Sequence, residues 1–309
     1  MKDYSPKQFG ADLVAGIVVG VVAIPLAIAF AIASGVTPDK GLATAVVAGF
    51  LISALGGSRV QIGGPTGAFV VIVYGIVQKY GFEGLTIATF MAGILLIVMG
   101  IARFGVVIKF IPRSVVVGFT SGIAVIIFSS QVADFFGLKT PGLPADFIEK
   151  WRALSKCFGS VNPYAIGIAL ATVLLISLWP RISRKFPGSL AALLLCSAAA
   201  AYFKWPVDTI GSRFGDLPHT LPMPHLPSLS FAAGRELFQA AFTIALLGGI
   251  ESLLSAVVSD GMIGGRHRSN TELIGQGIAN IGSSLFGGMP ATGAPCPRPC
   301  SSRSPRSSS

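Results

Sequence analysis

Residues Gly63-Gly64-Pro65-Thr66-Gly67-Ala68 open a short apolar run over 66–78. The run is shorter than the roughly 20 residues of helix that cross a bilayer. Proline suits the first turn of a helix, and glycine lets the backbone approach a ligand closely. The stretch therefore predicts a half-helix that begins inside a membrane, with 58–65 leading into it as extended chain.

Further apolar runs lie on both sides of this half-helix. Of the 309 residues, 52% are hydrophobic and 12% are charged, and the mean hydropathy is +0.74. A soluble domain carries roughly 25% charged residues. The composition excludes a soluble enzyme, a disordered protein and a disulfide-rich secreted module, and it predicts an all-α polytopic membrane protein with a transmembrane domain over 12–289. The other runs cover 12–34, 42–57, 85–102, 114–133, 163–179, 187–203, 237–259 and 272–287.

The net charge of +10 is spread over the loops between the apolar runs. A nucleic-acid-binding protein would gather these charges on one polar face, so no nucleic-acid partner is expected. If residues 1–11 are cytoplasmic, the inner loops hold most of the Lys and Arg, whereas the short outer loops hold Lys40 and Lys79. The positive-inside rule therefore predicts a multi-pass protein of the cell (inner) membrane, with its N terminus in the cytoplasm.

An internal repeat is visible when residues 15–68 are aligned with residues 241–294. Identities are sparse, but the same local signals recur at the same distances: Thr66-Gly67-Ala68 meets Thr292-Gly293-Ala294. An odd number of apolar runs separates the two copies, which inverts the second copy in the bilayer. Inverted repeats with interrupted helices at matching positions are typical of secondary transporters. We therefore expect a first repeat over 12–203 and the start of a second over 237–289.

The two predicted helix starts, at Pro65 and Pro290, indicate an anion-binding site. A helix N terminus presents free N–H groups and a partial positive charge, so two facing starts bind an anion without a fixed cation. Glycine after each threonine would let the backbone come close, and the threonine hydroxyls would add donors. The alternative is that both motifs are ordinary loop turns. The predicted substrate-binding residues are Phe30, Pro65, Thr66, Gly67, Ala68, Ser255, Thr292, Gly293 and Ala294.

Glu251 lies deep in the run 237–259, where a carboxylate is costly and marks a functional candidate. We expect it to bind the coupling ion, which is either a proton or sodium. Ser255 lies one turn along the same helical face, and the repeat places Pro25 opposite Glu251. The alternative is a structural acid that is hydrogen-bonded to a neighbouring helix. Phe30, one turn beyond Pro25, either lines the pocket or faces lipid.

The sequence carries no motif for catalysis or for a structural metal. The four cysteines form no framework, and the three histidines fall in loops. It contains neither a Gly-x-Ser-x-Gly elbow nor a Walker motif. We therefore expect neither an enzyme nor an ATP-driven pump, and no cofactor beyond the coupling ion.

Several of these stretches together resemble the SulP sulfate-permease family. Ile24-Pro25-Leu26-Ala27-Ile28-Ala29-Phe30-Ala31-Ile32-Ala33-Ser34-Gly35 is similar to its first span, and Gly63-Gly64-Pro65-Thr66-Gly67-Ala68 to the start of its third helix. Gly248-Gly249-Ile250-Glu251-Ser252-Leu253-Leu254-Ser255 resembles its eighth helix. Asn270-Thr271-Glu272-Leu273-Ile274-Gly275-Gln276-Gly277-Ile278-Ala279-Asn280 resembles its ninth. The resemblance covers residues 10–294.

The resemblance implies a 7+7 inverted-repeat fold of fourteen helices, shared with uracil permease, of which about nine are expected in this chain. It implies a substrate site between the third and tenth half-helices, and ion coupling by Glu251. Relatives in a lipid bilayer carry sulfate, bicarbonate, chloride or dicarboxylates, commonly with protons or sodium and often as homodimers. Alternating access would move helices one to four, eight and nine as a core against a gate of helices five to seven.

The chain departs from the family pattern after Ala294. Residues 295–309 are rich in Pro, Ser and Arg and do not build the expected apolar tenth helix. We expect a frameshifted or truncated form, inactive by itself, without helices ten to fourteen or the cytoplasmic STAS domain that usually follows; an evolved disordered tail is the alternative. Two other functions stay open, namely a nucleobase-type permease of the same fold and a non-transporting membrane partner.

Overall fold

The described part of the chain folds into helices and two short strands. The computed structural model describes residues 6–58, 61–106, 113–140, 144, 147–182, 188–215, 220, 222–227 and 231–295. The strands β1 (Gln61–Gly64) and β2 (Thr292–Pro295) pair antiparallel. The helices are α1 (Pro6–Ala33), α2 (Pro38–Leu55), α3 (Val70–Ile101), α4 (Arg113–Phe136), α5 (Phe147–Cys157), α6 (Pro163–Ile182), α7 (Gly188–Tyr202), α8 (Ile210–Phe214), α9 (Phe231–Ile263) and α10 (Ser269–Leu285).

Four helical segments of the described chain are long and apolar enough to cross a membrane. They cover Pro38–Leu55, Gly67–Ile101, Pro163–Ile182 and Gly234–Gly261. Shorter apolar helices cover Val19–Ala33, Ala124–Phe136 and Gly188–Tyr202. A helix satisfies its backbone hydrogen bonds internally, as lipid requires. The predicted apolar runs thus correspond to helices in the structure.

The chain forms two compact units. The first combines residues 1–112 with 218–309, and the second comprises residues 113–217. The first unit contains α1 to α3, α9, α10 and both strands, whereas the second contains α4 to α8. This division separates the helices predicted to form the moving core from those predicted to form the gate. The motion itself stays a prediction.

In the first unit, α10 packs along α3 through a close contact between two glycines. A Cβ on Gly93 of α3 would lie 2.7 Å from the Gly277 carbonyl oxygen, and a Cβ on Gly277 of α10 would lie 2.6 Å from the Gly93 carbonyl oxygen. Small residues let helix backbones approach this closely in a membrane. The buried side chains of Leu85, Leu96 and Leu273 belong to the apolar core of the same unit.

We expect Gly277→Ala to destabilise the first unit, because its methyl group would meet the Gly93 carbonyl and push α3 away from α10. Overpacking of this kind costs about 1–3 kcal/mol, which thermal unfolding in detergent measures as a lower Tm. Gly75→Ala is the matched control on α3, since no atom lies within 4 Å of the added methyl position. Equal Tm values for the two variants would contradict the close packing of α3 and α10.

The predicted half-helix over 66–78 and the predicted span over 85–102 are joined in the structure. α3 runs from Val70 to Ile101 and is interrupted at Gly81, whose φ of 70° and ψ of −177° lie outside the helical range. A positive φ favours glycine because a Cβ would clash. The two predicted helical runs therefore meet at Gly81, and the connection around Lys79 is shorter than the loop expected from sequence.

In the second unit, two helices lie between the predicted apolar runs. α5 falls within 134–162 and α8 within 204–234. Leu154 of α5 is fully buried in a cluster with Val132, Ala133 and Leu138, and α6 packs against α7. The segments between the predicted apolar runs therefore contain helical structure of their own.

Some predictions concern residues outside the described part of the chain. These include residues 1–5 of the predicted cytoplasmic segment and residues 296–309 of the predicted tail. Several loop charges behind the predicted orientation also lie outside it, namely Lys2, Arg59, Lys109, Arg184 and Lys185.

Candidate functional site

The candidate site lies where β1 and β2 pair. Gly63 is opposite Gly293, and Gly64 is opposite Thr292, in antiparallel register. These residues belong to the two glycine-rich motifs that the predicted repeat relates. The strand pair therefore brings the two motifs into direct contact.

Gly63 and Gly293 of the paired strands cannot be replaced without a clash, because neighbouring side chains fill the space of a Cβ atom. A Cβ on Gly63 would collide with the side chain of Ile52 on α2. A Cβ on Gly293 would lie 2.6 Å from Gln61 Cδ and 3.0 Å from Gln276 Nε2. The paired strands are thus tightly packed against α2 and α10.

Three polar side chains meet next to the paired strands. They come from the start of the α3 segment, from α9 and from β2. Thr66 Oγ1 donates a hydrogen bond to Glu251 Oε2 at 3.0 Å, and Thr292 Oγ1 donates to Thr66 Oγ1 at 3.3 Å. Thr66 and Glu251 are half-buried, whereas Thr292 is fully buried. A hydroxyl can both donate and accept, so the two threonines can turn their donors towards a ligand.

Thr66 occupies the position just before a helix begins. Its backbone is extended, with φ −128° and ψ 157°, and one 3-10 turn over Gly67–Phe69 leads into α3. The Thr66 side chain accepts no capping hydrogen bond from this turn, and its hydroxyl donates to Glu251. The N terminus of this helical segment, which carries a partial positive charge, therefore begins beside Glu251 and Thr292.

The second helix start, predicted at Pro290, is wrong in position. The chain is extended over Thr292–Pro295 as β2. Ala291, the residue before β2, is hydrogen-bonded to a side chain of α10. Asn280 Nδ2 donates to the Ala291 carbonyl at 3.0 Å, and Asn280 Oδ1 accepts from the Ala291 N–H at 2.9 Å. These bonds fix the Ala291 backbone against α10, and a strand rather than a helix start presents Thr292 to the site.

The other predicted site residues surround this contact at different depths. Pro65 and Ala68 are buried on either side of the half-buried Thr66 and Gly67, and Ala294 is half-buried in β2. Ser255 on α9 is 8% exposed, and its hydroxyl has no hydrogen-bond partner within the described residues. Phe30 is half-buried on α1, and its part in the site stays a prediction.

The polar face of α10 was not predicted from the sequence. Glu272, Gln276 and Asn280 are 0%, 1% and 1% exposed and recur at every fourth residue. This spacing places side chains on one helical face, so polar periodicity within an apolar run was the signal that could have found them. Their hydrogen bonds reach α9 and the segments next to both strands. The polar face of α10 is therefore hydrogen-bonded to the elements that carry the site residues.

The sequence is similar to those of proteins whose family is known. The sequence profile of the sulfate permease family matches residues 9–296. The protein YvdB of Bacillus subtilis (strain 168) is 50% identical over 294 residues, which are 95% of this chain and 56% of that protein. The bicarbonate transporter BicA of Picosynechococcus sp. is 34% identical over 273 residues, which are 85% of this chain and 48% of that protein. The chain spans about half the length of the curated relatives it matches.

Solved structures share the fold. The transmembrane domain of a cyanobacterium bicarbonate transporter BicA superposes with a TM-score of 0.81 at 33% identity, covering 93% of this chain and 74% of that one. The murine anion transporter Slc26a9 in its inward-facing state gives a TM-score of 0.79 at 19% identity, over 95% of this chain and 52% of that one, which is a likeness of fold alone. The predicted all-helical membrane transporter fold is confirmed. The family is one of transporters rather than enzymes, and because its profile covers nearly the whole chain, this multi-pass membrane protein belongs to the sulfate permease family.

Proposed function

We propose that this chain carries the anion-binding site of a secondary active transporter for sulfate, bicarbonate or a dicarboxylate. The observation behind the proposal is the hydrogen-bonded series Thr292, Thr66 and Glu251 at the start of the α3 segment. The family description names sulfate, and the relative BicA is named as a bicarbonate transporter. Both are small oxyanions that hydroxyl and N–H groups can hold.

In this proposal the anion lies in front of Thr66 and Thr292. The first N–H groups of the helical segment at Gly67 and Ala68 supply donors, and the helix dipole favours negative charge there. Gly67 has no side chain to block the approach. The two threonine hydroxyls complete a set of donors that needs no fixed cation.

Glu251 supplies the coupling in this proposal. A bare carboxylate beside the anion would repel it, so binding a proton or sodium at Glu251 favours anion binding. The reverse also holds, because linkage makes each ligand strengthen the other equally. The Thr66 hydroxyl links the two ligands, because its single proton goes to the Glu251 carboxylate in this structure and becomes free to donate to the anion once Glu251 binds a proton or sodium.

Equilibrium binding of radiolabelled sulfate to the purified chain in lipid nanodiscs tests the proposal. We expect saturable binding that excess bicarbonate or fumarate displaces. Displacement by uracil alone would favour a nucleobase-type permease. If the label does not bind saturably to folded protein and no competitor acts, the anion site is refuted, and a non-transporting membrane partner becomes the better account.

We also propose that transport, as distinct from binding, requires the remaining part of the fold that the longer relatives carry. The chain covers 56% of YvdB and 48% of BicA. In liposomes we expect no saturable sulfate uptake by the 309-residue chain and recovered uptake when it is joined to the rest of the YvdB fold. Homodimer formation, which the family resemblance implies, belongs to the same proposal.

We propose that the N terminus is cytoplasmic, on the basis of the positive-inside rule. This orientation places Cys157, half-buried at the end of α5, on the outer side. In a background without Cys296 and Cys300, a membrane-impermeant maleimide should label Cys157 in intact cells, and Cys157→Ser should lose the label. Labelling only after permeabilisation would reverse the orientation.

A further inference from the structure

A second carboxylate, Glu272, is completely buried in the same unit as the proposed site. Its Oε2 accepts the backbone N–H groups of Gly57 at 2.7 Å and Ser58 at 3.2 Å. Its Oε1 accepts the Ser252 hydroxyl at 2.8 Å and Gln276 Nε2 at 3.1 Å. A carboxylate can accept several such bonds at once. Glu272 therefore joins α9, α10 and the segment before β1 at one point.

These bonds lead directly to the residues of the proposed anion site. Ser252 follows Glu251 in α9, and its carbonyl oxygen accepts Gln61 Nε2 at 2.7 Å. Gln61 belongs to β1, and its amide lies against Gly293 of β2. The Ser252 turn of α9 is thus held from two sides, by Glu272 on its hydroxyl and by Gln61 on its carbonyl.

Resting on the proposed function, we propose that Glu272 is a positioning residue for anion binding. It fixes Ser252, and thereby the α9 turn that presents Glu251 to Thr66. It also fixes Gln276, whose amide lies beside Gly293. Loss of either link lets the α9 turn or the β2 backbone shift, which weakens the match between the hydroxyl donors and the anion.

Two variants separate this role from a general contribution to folding. Ser252→Ala removes the hydroxyl that connects Glu272 to α9 and leaves the other three bonds of Glu272 in place. Glu272→Gln keeps the side-chain volume, and Gln276 Oε1, which has no partner within the described residues, can turn to accept the new amide. Ser259→Ala is the matched control, because Ser259 is a buried serine on α9 whose hydroxyl has no partner in the described structure.

The readout is the Kd of radiolabelled sulfate, compared with the binding capacity and the Tm of the same preparation. Ser252→Ala and Glu272→Gln should each raise the Kd about fivefold, the loss expected for one hydrogen bond, while the binding capacity of the folded protein stays close to that of the unmodified protein. The double variant should be no worse than the weaker-binding single variant, because both changes break one link. Ser259→Ala should leave the Kd unchanged.

Two results would overturn the positioning role. One is a lower capacity or Tm with an unchanged Kd, which is the signature of a purely structural residue. The other is an additive effect in the double variant, which would mean that Glu272 does not act through Ser252. If Glu272→Gln does not fold, the comparison of Ser252→Ala with Ser259→Ala decides alone. Absence of saturable binding in the unmodified protein would instead refute the proposed function.

Discussion

Replacing both Thr66 and Thr292 with valine is expected to raise the Kd for sulfate about 100-fold or more. Valine keeps the branched shape of threonine and removes only the hydroxyl. A hydrogen bond to a charged group contributes about 1.5–3 kcal/mol, so the loss of two such donors corresponds to at least two orders of magnitude. Titration of radiolabelled sulfate against the purified variant measures the change.

The control for this pair is Thr243→Val, on the same helix as Glu251. Thr243 is exposed, and its hydroxyl donates to the Gln239 carbonyl within α9, so the change alters chemistry away from the site. We expect a Kd within about twofold of the unmodified protein, since exposed substitutions rarely change a distant site. If the threonine pair variant also stays within that range, the two hydroxyls do not bind the anion.

Glu251→Gln is expected to remove the dependence of sulfate binding on pH and sodium. In the unmodified protein, acid or added sodium should strengthen binding, because neutralising Glu251 removes a negative charge beside the anion. Two like charges about 5 Å apart at an effective dielectric constant near 20 repel by about 3 kcal/mol, so the dependence should exceed tenfold. Glutamine carries no charge at any pH, so the variant should bind with one constant affinity.

A titration at two pH values and two sodium concentrations distinguishes the coupling ion. A response to pH without sodium indicates a proton, and a response to sodium at fixed pH indicates the cation. Glu83→Gln is the control, since Glu83 is exposed on α3. If Glu251→Gln kept the full pH or sodium dependence, Glu251 would have no role in coupling and would be the structural acid considered as the alternative.

The assignment to a membrane protein and much of the structure around residues 63–68 were predictable from sequence, because lipid permits few backbone structures. Long apolar runs become helices, since no other local structure satisfies the backbone in hydrocarbon. The Gly-Gly-Pro-Thr-Gly stretch correctly indicated extended chain that leads into a helix near residue 67. The shared Thr-Gly-Ala motifs also indicated that Thr66 and Thr292 are related, and the structure places their hydroxyls 3.3 Å apart.

Other features depend on contacts that a sequence pattern does not record. The apolar runs 66–78 and 85–102 indicated two helical segments, but the sequence did not indicate that a single non-helical residue, Gly81, joins them. Pro290 resembled a helix start, but the amide of Asn280 binds the backbone of Ala291, and a strand follows. Glu272 was part of a family motif, and its role as a hydrogen-bond acceptor emerged only when α9 and the segment before β1 folded onto it.

A crystal structure of the protein with selenate in place of sulfate would locate the bound anion, because selenium gives an anomalous signal. We expect an anomalous peak between the N terminus of the α3 segment and β2, with selenate oxygens about 3 Å from the hydroxyls of both Thr66 and Thr292. A peak at another position, with these two hydroxyls still bonded to each other and to Glu251, would contradict the proposed anion site.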